Sequence, residues 1–206
     1  LDSYNVAIGW KAMTSSSGSS NNVALGWSVM SGDALTGDDN VAIGYQAGVA
    51  VTTAASNVMI GQNVYKAATT GNYNVVIGQE AAQTSTGMDN AVVIGRQAAG
   101  AGTADGDGNV FVGYQSGYDL TTGELNVAIG YQAGSNITSA SENIIIGPSA
   151  GLALTTGGNN IIVGQRAGDT ITTGNYNVMV GDGAAGNAAV DTTSSTLIGY
   201  NAGSGV

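Results

Sequence analysis

Three groupings of side chains in this chain have types and spacings that suggest chemistry. Asp105-Gly-Asp107-Gly-Asn109 sets oxygen donors on alternate residues, the spacing with which calcium loops gather ligands. No bidentate Glu follows at the usual distance, and a turn expanded by Asp-Gly explains the same residues without metal. Tyr114 and Tyr131 fall at one point of adjacent repeats. Such rings suit stacking on a host-surface glycan, or packing between chains. Thr52, Thr69, Thr86, Thr103, Thr121, Thr138, Thr155 and Thr172 form a hydroxyl row of the kind an ice-binding face offers. The residues two before them, such as Ala50, Thr84, Asp119 and Asn136, give no second regular rank, so turn threonines bonding locally account for the row as well.

Catalysis has little to draw on. With no His and no Cys, Ser-His and Cys-His nucleophiles, thiolate metal sites and disulfides are excluded. The 14 acids mostly stand singly among turn residues, and only Asp38-Asp39 and Asp105/Asp107 cluster. A two-carboxylate glycosidase is therefore disfavoured. No enzymatic activity and no cofactor are expected.

The elements that carry these groups follow from a repeat. Gly9, Gly26, Gly44, Gly61, Gly78, Gly95, Gly113, Gly130, Gly147, Gly164, Gly181 and Gly199 are 17 residues apart in eight intervals and 18 in three. A fixed short period along a whole chain means stacked supersecondary units rather than a globular core. The expected fold is all-β: a parallel β-solenoid, or β-roll, of about twelve coils and one domain over residues 1–206. The chain begins and ends within a repeat, which reads as a piece of a longer fibre protein.

Two branched residues flank a central one before each glycine: Val41/Ile43, Val58/Ile60, Val127/Ile129 and Ile144/Ile146 are examples. Such residues favour extended chain, and residues two apart share a strand face. These pairs are expected to form the coil core. The residue between them is then expected to face outward. It is apolar in every repeat, and includes Met59, Val76, Val93, Phe111, Ile145, Ile162 and Met179. A strand apolar on both faces is covered on both. One coil has one interior, so the simplest second cover is a sister chain, and these residues are the expected interface of a homo-oligomer. On that reading Ile145→Asp separates chains, whereas Asp at Val127 and Ile129 opens the core locally.

Leu120, Ile137, Leu154 and Ile171 recur at one register as a second inward row. Asparagine opens the strand in ten of twelve repeats, among them Asn57, Asn74, Asn126, Asn143 and Asn160. Stacked at the ~4.8 Å spacing of neighbouring strands, these amides can bond along the axis as a ladder.

Composition narrows the partners. Net charge is −10, with only Lys11, Lys66, Arg96 and Arg166 basic, so nucleic acid is not expected. No apolar stretch approaches the length needed to span a bilayer, so no membrane insertion is expected.

The Asn-Val-Ala-Ile-Gly run, as in Asn126–Gly130, resembles the head repeats of trimeric autotransporter adhesins. The longer Asn126–Gly134 unit is similar to repeats in bacteriophage tail fibres. The resemblance covers nearly the whole chain, although 17 residues exceeds the adhesin period and the excess falls around Thr-Thr-Gly. It implies a left-handed β-roll and a side-by-side homotrimer. It also implies an extracellular place, on a virion tail fibre or a bacterial surface, and a structural or adhesive role in host attachment. It supplies no functional residue.

Overall fold

Every repeat places three apolar residues between an Asn and a Gly, and this length of chain is what becomes extended. The computed structural model describes residues 3–186 and 193–204, which form an all-β parallel solenoid. Its strands are β1 (Val6–Ile8), β2 (Val23–Leu25), β3 (Val41–Ile43), β4 (Val58–Ile60), β5 (Val75–Ile77), β6 (Val92–Ile94), β7 (Val110–Val112), β8 (Val127–Ile129), β9 (Ile144–Ile146), β10 (Ile161–Val163), β11 (Val178–Val180) and β12 (Thr196–Ile198). They pair in chain order into one 12-stranded sheet, separated by eleven turns of about seventeen residues. The register shifts by one repeat at each step, so that Val127, Ala128 and Ile129 lie beside Ile144, Ile145 and Ile146. No helix occurs among the described residues.

The strands face the other way from the sequence expectation. Met59, Val76, Val93, Phe111, Ile145, Ile162 and Met179, expected at a chain–chain interface, are fully buried inside their own solenoid. Val41, Ile43, Val58, Ile60, Val127, Ile129, Ile144 and Ile146, expected in the core, are half-buried or exposed on the outer face of the sheet. The reason is the narrow interior. Alternation puts Asn126 on the same side as Ala128, and both are buried, so Val127 and Ile129 must point out.

In part of the stack the interior trades volume within a coil. Phe111 is followed six residues later by Gly117, Ile145 by Gly151 and Ile162 by Gly168, whereas Met59 and Tyr65 are both large and buried. A Cβ on Gly117 would lie 2.7 Å from the Phe111 ring. Where the central residue is Ala24, a methionine, Met30, sits six later, and both are buried. Such exchange keeps the interior close-packed from coil to coil. Leu120, Ile137, Leu154 and Ile171 line the same core from the opposite wall, as expected.

The glycine ending each strand is required by geometry. Gly130 has φ 140°, and a Cβ there would lie 2.6 Å from the Gly147 carbonyl oxygen in the next coil.

Candidate functional site

The functional candidates of the rod are columns of side chains repeated from coil to coil. The first is internal. Asn126 donates its backbone N–H to Asn109 Oδ1 at 2.9 Å and its amide Nδ2 to the same oxygen at 3.1 Å. Nδ2 also donates to the Ala140 carbonyl at 2.7 Å, on the far side of its own coil. Asn143, Asn160 and Asn177 repeat the amide-to-amide links. The Asn ladder expected from the sequence is thus present, and it both joins coils and ties each strand to its closing turn. Hydrogen bonds in so buried a place strengthen one another and make any missing partner expensive.

Within the stack the ladder is interrupted at Ala91, and before the last strand Ser195 takes the place of the amide. The Ala91 N–H still donates to Asn74 Oδ1 at 2.9 Å, but Ala91 has no side-chain oxygen for the next coil. Two devices stand around the break. Asn109 Nδ2 donates to the Gly106 carbonyl at 2.8 Å. Tyr65 is buried in the core, donates its hydroxyl to the Met88 carbonyl at 3.1 Å and accepts from Asn74 Nδ2 at 3.2 Å. Burial pushes the Tyr65 phenol well above its ordinary value, helped by the charges of Asp89, Asp105 and Asp107.

Asp105, Asp107 and Asn109 do not converge as a calcium loop would. Asp105 Oδ1 accepts from the backbone N–H groups of Thr86, at 2.8 Å, and Gly87, at 3.1 Å, and its Oδ2 from the Thr86 hydroxyl at 2.9 Å. Asp107 Oδ1 accepts from the Asp89 N–H at 2.9 Å, and Asn109 belongs to the Asn ladder. Among the described residues no group of three or more Asp, Glu, His or Cys is placed to hold a metal ion. The oxygens that alternate in sequence are spent on linking coils.

Asp107 belongs to a second ladder that the sequence reading missed. Asp89 Oδ1 accepts from the Asn72 N–H, and Asn72 Oδ1 accepts from the Ala55 N–H. A third ladder runs through Glu80, Gln97, Gln115 and Gln132, each side chain bonded to the next at 2.8–3.1 Å. The recurring Gln of the Tyr-Gln-Ala-Gly run was its signal.

The threonine row points along the axis. Thr121, Thr138 and Thr155 each donate their hydroxyl to the carbonyl of the equivalent Thr one coil on, at 2.8, 3.1 and 3.0 Å. Hydroxyls so engaged serve the stack before they serve a lattice of water.

The structure does bring Tyr114 and Tyr131 together, with ring centres 5.2 Å apart and stacked. The Arg96 guanidinium lies 5.4 Å from the Tyr114 ring centre. Trp10, Trp27 and Tyr45 stack likewise, at 4.8 and 4.7 Å. A sugar stacks on a ring face, and these faces are largely taken by one another. What they leave outward is edges and hydroxyls.

The remaining column pair is the outward strand face. Val and Ile, with Leu25 in β2, alternate with buried residues through the interior strands, giving two adjoining apolar rows of about 50 Å at the spacing of parallel strands. Ile129, Ile144, Ile146 and Ile161 are 38–41% exposed. Comparison with known proteins found no match to a family model, a curated protein or a solved structure.

Proposed function

We propose that this chain is a structural and adhesive segment of a homotrimeric surface fibre serving host attachment, with its Val/Ile strand face turned towards two sister chains. The observation that carries this reading is the unbroken apolar strip on the outer face of the sheet. Contiguous apolar surface of this kind marks an interaction site. The strip has the same repeat as the rod, so copies lying side by side in register meet Val with Val and Ile with Ile at every coil. The resemblance of the repeat to trimeric adhesin heads and phage tail fibres supports three as the number of chains. It also supports an extracellular place, on a virion tail fibre or a bacterial surface. The stacked ladders suit the role, because a shaft must resist bending and local opening along its length.

The test is the mass of the particle in solution. Sedimentation equilibrium of the wild type is expected to give three chains. Replacing Ile129 and Ile146 with Asp is expected to give single chains that keep a β-type circular dichroism spectrum, since both side chains sit outside the core. Ile145→Asp, by contrast, buries an unpaired charge and should unfold its neighbourhood in any state of assembly. A wild type that sediments as one chain, or an Ile129/Ile146 double variant that still sediments as three, overturns the proposal.

A further inference from the structure

The apolar strip runs between two edges that differ in charge. The upstream edge holds the residues five and six before each strand glycine, and the downstream edge those one and two after it. Among the described residues the upstream edge carries Asp38, Asp39, Asp89, Asp107, Glu124 and Glu142 and no cation. The downstream edge carries Lys11, Arg96 and Arg166, with Glu80 and Asp182.

The two edges correspond coil by coil. Asp39 lies across β3 from Tyr45, Asp89 across β6 from Arg96, Asp107 across β7 from Tyr114 and Glu124 across β8 from Tyr131. Where the acid is downstream the donor is upstream: Tyr73 lies across β5 from Glu80, and Tyr176 across β11 from Asp182. The exception is β9, with Glu142 across from Pro148, and Arg166 has its acid within the chain, in Asp169. Extended strand holds the matched groups apart within one chain, so the chain's own contacts do not require the match. Tyr73 and Tyr176 are 67% and 63% exposed, on left-handed backbone better suited to Gly or Asn. Among the described residues Tyr65 is the one tyrosine whose hydroxyl is bonded within the chain.

We infer that sister chains recognise each other edge to edge, the upstream edge of one copy lying on the downstream edge of the next, so that the acid of each matched coil accepts a hydrogen bond from the Tyr or Arg of the same coil in its neighbour. The inference rests on the assembly reading and gives it a direction and a register. A rotation axis along the rod carries no translation, so every coil meets its own counterpart, upstream edge to downstream edge. A two-fold axis across the rod, along the strands, would set upstream edge on upstream edge and bring acids together. Contacts at the rim of an apolar interface add less affinity than its centre and select the orientation that forms.

The chain has no cysteine, so introduced pairs report the orientation. Oxidised Tyr176→Cys/Asp182→Cys is expected to run as three covalently joined chains on a denaturing gel. Within one chain β11 holds the two sites about 10 Å or more apart, too far to bridge. Tyr73→Cys/Asp182→Cys, six coils apart, should stay unlinked. Charge gives a second readout. Tyr176→Glu should weaken assembly about tenfold in sedimentation equilibrium, and adding Asp182→Lys should restore it. Both positions are exposed, so these variants keep the fold. An assembled but unlinked Tyr176→Cys/Asp182→Cys variant, wild-type assembly in Tyr176→Glu, or a defect that Asp182→Lys leaves in place overturns the inference without touching the assembly. Covalent pairs in place of threes defeat only the number of chains, and a wild type that sediments as one chain defeats both readings.

Discussion

Two stretches of this rod solve one problem differently. From Asn109 to Asn177 the internal ladder is unbroken, each amide oxygen accepting twice from the coil above. From Asn74 to Asn109 it is interrupted by Ala91, and Tyr65, the Gly106 carbonyl and the Asp105 carboxylate stand around the gap. The contrast teaches that the ladder is one means of satisfying buried backbone groups between coils, and that other buried polar groups gather where a rung is missing. Along the Asn column of both stretches the buried amide groups each keep a carbonyl partner in the closing turn.

Removing a rung from the regular stretch has the largest expected effect on this comparison. Asn143→Ala would strip the Asn160 N–H and Nδ2 of their acceptor and the Gly157 carbonyl of its donor, with no side chain placed to replace it. A loss of about 2–4 kcal/mol is expected in guanidinium unfolding, with amide exchange accelerated first in β9 and β10. If Asn143→Ala proves as stable as wild type, the regular ladder contributes nothing that water cannot supply.

In the interrupted stretch the corresponding variant is Tyr65→Phe. It removes a donor to Met88 and an acceptor for Asn74, and should cost about 1–2 kcal/mol at neutral pH. The pH dependence adds a second readout. Burial raises the folded-state affinity of the Tyr65 phenol for its proton above that of the unfolded chain. The stability this confers is therefore complete below the unfolded value, about pH 10, and is lost as pH rises beyond it. Wild-type stability should fall more steeply than that of Tyr65→Phe above about pH 10. Parallel curves would mean that Tyr65 titrates alike in both states.

The smallest expected effect is a gain. Ala91→Asn would offer an oxygen to the Asn109 N–H and an amide to the Gly106 carbonyl, making the two stretches alike. About 1 kcal/mol of stabilisation is expected, measured as a higher guanidinium midpoint with unchanged slope. A destabilised variant would show that Tyr65 and Met88 have closed the space a rung needs.

Much of this architecture was legible in the chain itself. The twelve glycines announced the period, the branched pairs announced the strands, and the recurring asparagines announced a ladder that the coordinates contain. The facing of the strand was misread because both of its faces are apolar, so hydrophobicity alone does not choose between them. Size offers only a partial signal: Phe111 with Gly117, Ile145 with Gly151 and Ala24 with Met30 trade volume within a coil, whereas Met59 with Tyr65 does not. Asp105, Asp107 and Asn109 were misleading for a related reason. Their alternation is the mark of a ligand loop when the loop folds on itself, but here each oxygen reaches a neighbouring coil instead.

Sequence alone determined that the chain stacks in parallel, one repeat per rung, because a short period can be satisfied only by pairing each unit with its copies above and below. It also determined that the residues flanking the centre of each strand share a face, because extended chain alternates. Only the tertiary structure decided which face lies within. That choice depends on how the turns close the coil, and they close it around a space that holds Ile145 and Asn143 but leaves Ile144 and Ile146 outside.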